Sequence, residues 1–90
     1  MKHLNISISG KVQGVFFRVT SKAVADQLGV KGTARNCSDG SVFIEAEGDA
    51  FSLDLFLEFC HKGSDRAVVE NVSIVEAEFK NYANFEVVKR

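Results

Sequence analysis

The apolar residues of this chain follow two different periods in successive segments, and that alternation limits the possible folds more than any other feature. Residues 1–9 alternate polar and apolar side chains, which is typical of a strand buried on one face. From Phe17 to Leu28 the apolar residues recur with helical spacing, and Gly29 follows where a glycine commonly ends a helix. Glycines interrupt both patterns over residues 10–14, which predicts a loop between the strand and the helix.

The rest of the chain continues this alternation. Residues 38–40 (Ser-Asp-Gly) provide hairpin turn chemistry, Asp49 is suited to cap a helix, and Gly63 is suited to end it. In a later strand the alternation changes phase between Ile74 and Val75, which predicts a β-bulge or a twist there. The remaining predicted elements are strands over 30–36 and 41–47, a helix over 50–62, a strand over 68–79 and a short strand over 85–88.

The order of these elements is βαββαβ followed by a short terminal strand. It predicts an α+β protein with the ferredoxin-like sandwich arrangement, in which two helices cover one face of a mixed sheet of four or five strands. The 90 residues are too few for two cores, whereas 46% hydrophobic residues, including eight Phe, suffice for one. We therefore expect a single domain over residues 1–90. Because this fold carries many unrelated functions, it does not by itself indicate an activity.

Composition excludes several classes of protein. A net charge of −1 disfavours a general nucleic-acid binder or a polybasic membrane binder. The longest apolar stretches fall far short of the roughly 20 residues that span a bilayer, and the N-terminus lacks the apolar core of a signal peptide. Cys37 and Cys60 are too few for a disulfide framework and form no CxxC motif, although a bond between them stays open. We expect a cytoplasmic protein with no membrane or nucleic-acid partner.

Charge is unevenly distributed along the chain. Residues 1–36 carry six basic side chains and one acid, a net charge of +5, whereas residues 37–90 carry five basic and eleven acidic side chains, a net charge of −6. One interpretation is that the two segments simply attract each other in the folded protein, or that the uneven distribution is accidental. The other is that the first segment presents a binding site for an anion.

The loop before the first predicted helix is suited to bind such an anion. Residues 10–18 read Gly-Lys-Val-Gln-Gly-Val-Phe-Phe-Arg, and the first main-chain N–H groups of a helix have no intrahelical partner. Gly14 lets successive amides turn into one concavity, the geometry that holds phosphate, and Arg18 can bind two oxygens of a tetrahedral anion. The segment matches neither GxxxxGK[ST] nor GxGxxG, which disfavours a nucleotide site. By itself this pattern is a weak signal.

Asn36 ends the second predicted strand at a turn. Asparagine is common at turns for local reasons, so this position alone does not indicate a function. A functional role is nevertheless available, because the carbonyl oxygen of the side chain can hold a water molecule while its NH₂ group contacts a substrate.

Two segments taken together resemble the acylphosphatase family. Residues 10–18 resemble its first signature, and residues 32–42 (Gly-Thr-Ala-Arg-Asn-Cys-Ser-Asp-Gly-Ser-Val) resemble its second, with Gly48 matching the last glycine of the second pattern. The motifs stand in the family's order, and the resemblance covers essentially the whole chain. It implies an enzyme without a cofactor that hydrolyses small acyl phosphates to a carboxylate and inorganic phosphate.

The resemblance also implies roles for individual residues. Arg18 would bind the phosphate and Asn36 would position the attacking water, which makes these two the catalytic residues. Two departures from the family pattern stand out, since Thr33 replaces a usual aromatic residue and residues 63–67 lack the proline common after the second helix. We expect the latter turn to be looser. The phosphate-binding residues that the resemblance implies are Gln13, Gly14, Val15, Phe16, Phe17 and Arg18.

The hydrolysis of an acyl phosphate needs few residues. The leaving carboxylate departs without protonation, and the transition state places charge on the transferring phosphoryl oxygens, which an arginine and main-chain amides can stabilise. The two histidines are His3, expected to be solvated at the start of a strand, and His61, expected to interact with a helix dipole. Neither has metal-ligand spacing with the cysteines, so no metal is predicted.

A non-catalytic module that binds an anion or a partner protein on the same fold is the alternative function. RNA binding is disfavoured, because Glu45 and Glu47 share a strand face with Phe43, the aromatic residue placed to stack a base.

The second predicted helix is apolar around much of its surface, with Phe51, Leu55 and Phe59 extending the main stripe. A wide stripe packed on the sheet predicts a monomer, which we expect, whereas an exposed stripe predicts self-association.

Overall fold

The computed structural model describes residues 1–89 and arranges them as five strands and two helices. The predicted order of elements is confirmed, and both helices have the predicted bounds. Within the described range, no helix has the length and apolar character needed to cross a membrane. The elements are β1 (Lys2–Lys11), α1 (Phe17–Leu28), β2 (Lys31–Asn36), β3 (Val42–Gly48), α2 (Ala50–Lys62), β4 (Val68–Ala77) and β5 (Phe85–Val87).

All five strands form one mixed sheet in the order β4-β1-β3-β2-β5. β1 lies antiparallel between β3 and β4, β2 pairs antiparallel with β3, and β5 lies parallel to β2. The register places Ile6 opposite Ile44 and Ile8 opposite Val42, so these buried side chains share the sheet face that the helices cover. This is the ferredoxin-like α+β arrangement that the element order predicts.

The core lies between that sheet face and the two helices. Phe17 of α1, Phe56 of α2 and Phe85 of β5 are almost fully buried, and the ring centroids of Phe56 and Phe85 lie 5.8 Å apart. α1 also buries the small side chains of Ser21 and Ala25. Small residues at these positions let the helix approach the sheet closely, so that the aromatic rings fill the space between the layers.

The apolar surface of α2 is divided between the core and solvent. Leu53, Phe56 and Cys60 are buried, whereas Phe51 is 74% exposed. Most of the stripe therefore packs on the sheet, and Phe51 lies outside it. Both cysteines, Cys37 and Cys60, are free, and burial raises the pKa of the Cys60 thiol to about 12.

Local signals determine the ends of both helices. Asp49 caps α2, because its side chain accepts a hydrogen bond from the main-chain N–H of Ser52 at 2.7 Å. α1 ends at Gly29, whose φ of 75° lies in the left-handed region and whose N–H donates to the carbonyls of Ala25 and Asp26.

β4 contains a bulge, but the predicted position was wrong. The register between β1 and β4 shifts at Gly10 and leaves Glu70 as the extra residue, whereas Ile74 and Val75 pair regularly with β1. Gly10 permits this close approach, because a Cβ there would overlap the carbonyl oxygen of Val68. The phase change in the sequence has another origin: β4 is an edge strand with apolar side chains on both of its faces.

His3 is only 1% exposed, so the expectation that it is solvated was wrong. Its Nδ1 lies 2.7 Å from a carboxylate oxygen of Glu47, and its Nε2 lies 2.8 Å from Oδ1 of Asn5. The segment after β4 crosses this end of the sheet on the face away from the helices. There the main-chain N–H groups of Lys80 and Tyr82 donate to Glu47 at 2.6 and 2.8 Å. A distant segment, rather than the local strand pattern, therefore buries the ring.

The surroundings of Glu47 favour its charged form. Burial alone would raise its pKa, but the hydrogen bonds from His3 and from the main-chain N–H groups of Lys80 and Tyr82 outweigh burial and hold the pKa below its ordinary value of 4.5. Because the pKa is lower in the folded protein than in the unfolded chain, this carboxylate stabilises the fold above about pH 4.5. That contribution is lost as the pH falls through the folded pKa.

We expect Glu47→Gln to lower the free energy of unfolding at neutral pH by about 1–3 kcal/mol, since the hydrogen bonds to a buried carboxylate are lost or weakened. The variant should also lose less stability than the wild type as the pH falls below about 4.5. Urea unfolding at a series of pH values measures both effects. Glu58→Gln, at an exposed position of α2, is the matched control. Equal acid sensitivity of Glu47→Gln and the wild type would contradict this role.

Candidate active site

Residues 12–16 join β1 to α1 and form a loop with two residues in the left-handed region. The φ angle is 74° at Gly14 and 60° at Phe16. Glycine adopts this conformation freely, but a bulky aromatic residue rarely does, and such strain concentrates at functional loops. Thr20 donates to the carbonyl oxygen of Phe16 through its main-chain N–H at 3.0 Å and through its hydroxyl at 2.8 Å, which fixes this peptide group.

This backbone leaves a run of donors free at the start of α1. Within residues 1–89, none of the main-chain N–H groups of residues 14–19 donates to a main-chain carbonyl. Free N–H groups at a helix N-terminus attract anions, because the partial positive charge of the helix end adds to the amide dipoles. The loop therefore has the donors that a phosphate site needs.

Side-chain hydrogen bonds to two other parts of the fold hold the loop in place. Gln13 donates through Nε2 to the carbonyl oxygens of Cys37 at 2.8 Å and Ser41 at 2.9 Å, in the hairpin between β2 and β3. The buried hydroxyl of Ser64 donates to the carbonyl oxygen of Val15 at 2.8 Å. Ser64 belongs to the turn that lacks a proline, so this hydrogen bond joins that turn to the loop.

The loop forms one wall of a cavity of about 310 Å³. Asn36, at the end of β2, lines the same cavity as Arg18, at the start of α1, although the two residues are distant in sequence. The cavity brings together the two side chains for which the sequence predicts catalytic roles. Its lining consists of Val12, Gly14, Phe16, Phe17, Arg18, Val19 and Asn36.

Arg18 is half-buried and oriented by the end of the chain. Its Nη1 donates to the main-chain carbonyl oxygen of Val88 at 2.7 Å. No acidic side chain pairs with it among residues 1–89. Because the guanidinium carries five N–H donors, one hydrogen bond to Val88 restrains the group and leaves donors for an anion.

The Asn36 side chain carries a buried hydrogen-bond acceptor. Its Oδ1 atom accepts no hydrogen bond from any group within residues 1–89. Leaving a buried polar atom unpaired costs roughly 1–3 kcal/mol, so an atom of this kind calls for a specific explanation.

The structure places the predicted phosphate-binding residues in two groups. Phe16 and Phe17 line the cavity together with Gly14 and Arg18, whereas the side chains of Gln13 and Val15 do not. Gln13 reaches the β2–β3 hairpin, and the Val15 side chain is buried, so these two can contact an anion in the cavity only through their main chain.

Other residues of the site could not be predicted from the sequence. Val88 holds the arginine through a main-chain carbonyl, and Ser64 holds the loop through a long-range contact; neither has a signal in its local sequence. Val12 and Val19 line the cavity but resemble ordinary core and helix residues in the sequence.

The positive excess of the first 36 residues is not neutralised by direct pairing with the acidic segment. Within residues 1–89, no lysine or arginine of the first segment forms an ion pair with an acid of the second, and the one pair that involves such a residue is Lys22–Asp26 inside α1. No ion pair between a lysine or arginine of the first segment and an acid of the second therefore supports the interpretation that the segments attract each other. The described part of the chain also contains no cluster of three or more His, Cys, Asp or Glu side chains placed to share a metal ion.

Comparison with known proteins identifies the family of the chain. A family model for acylphosphatases matches residues 4–87 of the chain. The chain belongs to the acylphosphatase family. An acylphosphatase from Thermotoga petrophila is 49% identical over 87 residues, and the alignment covers 97% of each chain.

Solved structures of acylphosphatases share the fold along the whole chain. The crystal structure of acylphosphatase from Bacillus subtilis matches with a TM-score of 0.95 at 33% identity, covering 99% of this chain and 100% of that one. An acylphosphatase from Coxiella burnetii matches with a TM-score of 0.93 at 34% identity, covering 97% and 92%. The predicted family, the ferredoxin-like fold and the enzyme class, a hydrolase of small acyl phosphates, are confirmed.

We expect Gln13→Ala to lower the free energy of unfolding by about 1–2 kcal/mol, because two hydrogen bonds to the hairpin are lost. The inhibition constant of inorganic phosphate should rise about threefold or more, since a loop that is no longer held in place must be ordered when the anion binds. Urea unfolding and steady-state inhibition measure the two effects. Gln27→Ala, an exposed glutamine of α1, is the matched control. Unchanged phosphate inhibition in a destabilised Gln13→Ala variant would show that Gln13 supports the fold but not the site.

Proposed function

We propose that this acylphosphatase binds the phosphate of its substrate between Arg18 and the main-chain amides of the 12–16 loop, and that Asn36 positions the attacking water. The observation that carries the proposal is that one cavity is lined by Arg18, which has no acidic side-chain partner within residues 1–89, and by Asn36, whose buried amide oxygen has no donor among those residues. The free N–H groups of residues 14–19 support it, because they provide several donors for phosphoryl oxygens.

The proposed reaction is the attack of water on the phosphorus atom. Oδ1 of Asn36 accepts a hydrogen bond from the water and holds its oxygen in line with the bond to be broken. The bond between phosphorus and the bridging oxygen breaks, and its electron pair leaves with the acyl group as a carboxylate. The proton of the water passes to a phosphoryl oxygen, so the products are a carboxylate and inorganic phosphate and no separate general base is needed.

Arg18 and the loop amides stabilise the transition state in this scheme. Charge in a loose phosphoryl transfer is spread over the three equatorial oxygens, which planar guanidinium donors and converging amides can contact together. The hydrogen bond to Val88 reduces the reorientation that the guanidinium needs when substrate binds. Positioning and electrostatic stabilisation, without a covalent intermediate, then account for catalysis.

We further propose that the enzyme acts as a single-domain monomer in the cytoplasm, without a cofactor and without a nucleic-acid partner. Most of the apolar stripe of α2 is packed on the sheet, which supports a monomer. Two free cysteines, one of them buried, suit a reducing compartment.

We expect Arg18→Ala to reduce kcat/KM for benzoyl phosphate by about 10³-fold or more and to abolish inhibition by inorganic phosphate, because the main cationic ligand of the phosphoryl group is removed. Arg18→Lys should recover only part of the activity, since a lysine lacks the planar fork. Absorbance decay of benzoyl phosphate measures turnover, and circular dichroism verifies folding. Arg35→Ala, which removes a guanidinium that lies over the Phe43 ring, is the matched control. Full activity in folded Arg18→Ala would refute the proposal.

We expect Asn36→Ala to lower kcat by about 10²-fold while the inhibition constant of phosphate changes little, because the variant loses the water-positioning oxygen and keeps the anion donors. The same assay, run over a range of substrate concentrations, separates kcat from KM. Asn71→Ala, at an exposed position of β4, is the control. A variant with normal kcat and weakened phosphate inhibition would assign Asn36 to binding instead of water positioning.

A further inference from the structure

A second cavity lies next to the one that holds Arg18 and Asn36. Its volume is about 450 Å³, and Phe16 contributes to the lining of both cavities. One side of its wall consists of Val15 and Phe16 from the 12–16 loop and Thr20 from α1. The last turn of α2 and the residues after it form the other side. A substrate whose phosphate occupies the first cavity can therefore extend across Phe16 into the second.

Fixed contacts define the shape of this second cavity. The hydrogen bond from the Ser64 hydroxyl to the Val15 carbonyl joins the two sides of its wall. Phe59, which also lines it, lies 5.4 Å from Phe17 between ring centroids and is held against the core. The cavity is thus lined in part by residues that a hydrogen bond and ring packing hold in place.

The charges around this cavity are unequal. Lys62 and Arg66 are lining residues that form no ion pair within residues 1–89, and Asp65 is the single acid that lines the cavity with them. The apolar surface of Phe16 and Phe59 lies beside these charges. An anion at this position gains from two cations and is opposed by one carboxylate.

We propose that this second cavity receives the acyl end of the substrate and favours acyl phosphates whose acyl group carries a second negative charge, a carboxylate or a phosphate. The inference rests on the proposed position of the transferred phosphate beside Arg18. The carbon chain of the acyl group would lie on the exposed ring of Phe16, and its distal anion would reach Lys62 and Arg66. Lys62 and Arg66 are then specificity-determining residues, and Asp65 reduces the preference that they create.

The test compares two substrates in the same variants. Benzoyl phosphate has a neutral acyl group, and succinyl phosphate has a carboxylate at its far end. The ratio of their kcat/KM values therefore reports on the second charge and cancels any general loss of activity. In Lys62→Ala/Arg66→Ala the ratio of succinyl to benzoyl phosphate should fall about five- to tenfold at low ionic strength, the effect expected for two partly exposed charge contacts. Added salt should reduce the wild-type preference.

Two single variants sharpen the test. Asp65→Asn should raise the same ratio, because the opposing carboxylate is removed. Lys2→Ala removes one positive charge at the far end of β1 and should leave the ratio unchanged. An unchanged ratio in Lys62→Ala/Arg66→Ala, or an equal fall in Lys2→Ala, would overturn the inference and leave the proposed function intact. If the wild type hydrolysed neither substrate, the proposed function would fail and the inference with it.

Discussion

The candidate site depends on the contacts that hold the backbone of one short loop in place. The 12–16 loop has no regular secondary structure, so its amides can face an anion only while other parts of the fold hold its backbone. Gln13 holds it to the hairpin between β2 and β3, and Ser64 holds it to the turn after α2. Because Asn36 ends β2 beside that hairpin, the contacts of Gln13 also fix the spacing between the 12–16 loop and the amide proposed to hold water. Strand β2 and the hairpin after it thus set the position of the 12–16 loop relative to Asn36.

Features of the fold that neighbouring residues determine were predictable, and features that distant residues determine were not. Asp49 and Gly29 signal helix ends through their own side chain or backbone, and both helix spans were predicted correctly. His3 was misjudged because its strand pattern indicates a solvated face, and only the segment after β4, more than half the chain away, buries it. The bulge at Glu70 was predicted at the wrong position, because the sequence of an edge strand with two apolar faces resembles that of a strand with a shifted register.

In the candidate site, too, some features could be predicted from the sequence and others could not. The two motifs predicted that Arg18 and Asn36 act together, and both line one cavity. The motif also predicted Gln13 as a phosphate-binding residue, and because its side chain binds the hairpin, that prediction now concerns its main chain. A motif records which residues occur together and not which of their atoms face the ligand. The carbonyl group of Val88 could not be predicted at all, since a main-chain acceptor leaves no trace in residue type.

The contact between Arg18 and Val88 links the site to the least extensive strand of the sheet. β5 spans only Phe85–Val87 and pairs with a single neighbour, β2. Edge segments of this kind open locally with less free energy than the whole fold needs to unfold. Phe85 opposes such opening of β5, because its almost fully buried ring packs against Phe56 and would have to leave the core. The carbonyl group that orients Arg18 is therefore held in place by the hydrophobic core, although it lies beside an edge strand of three residues.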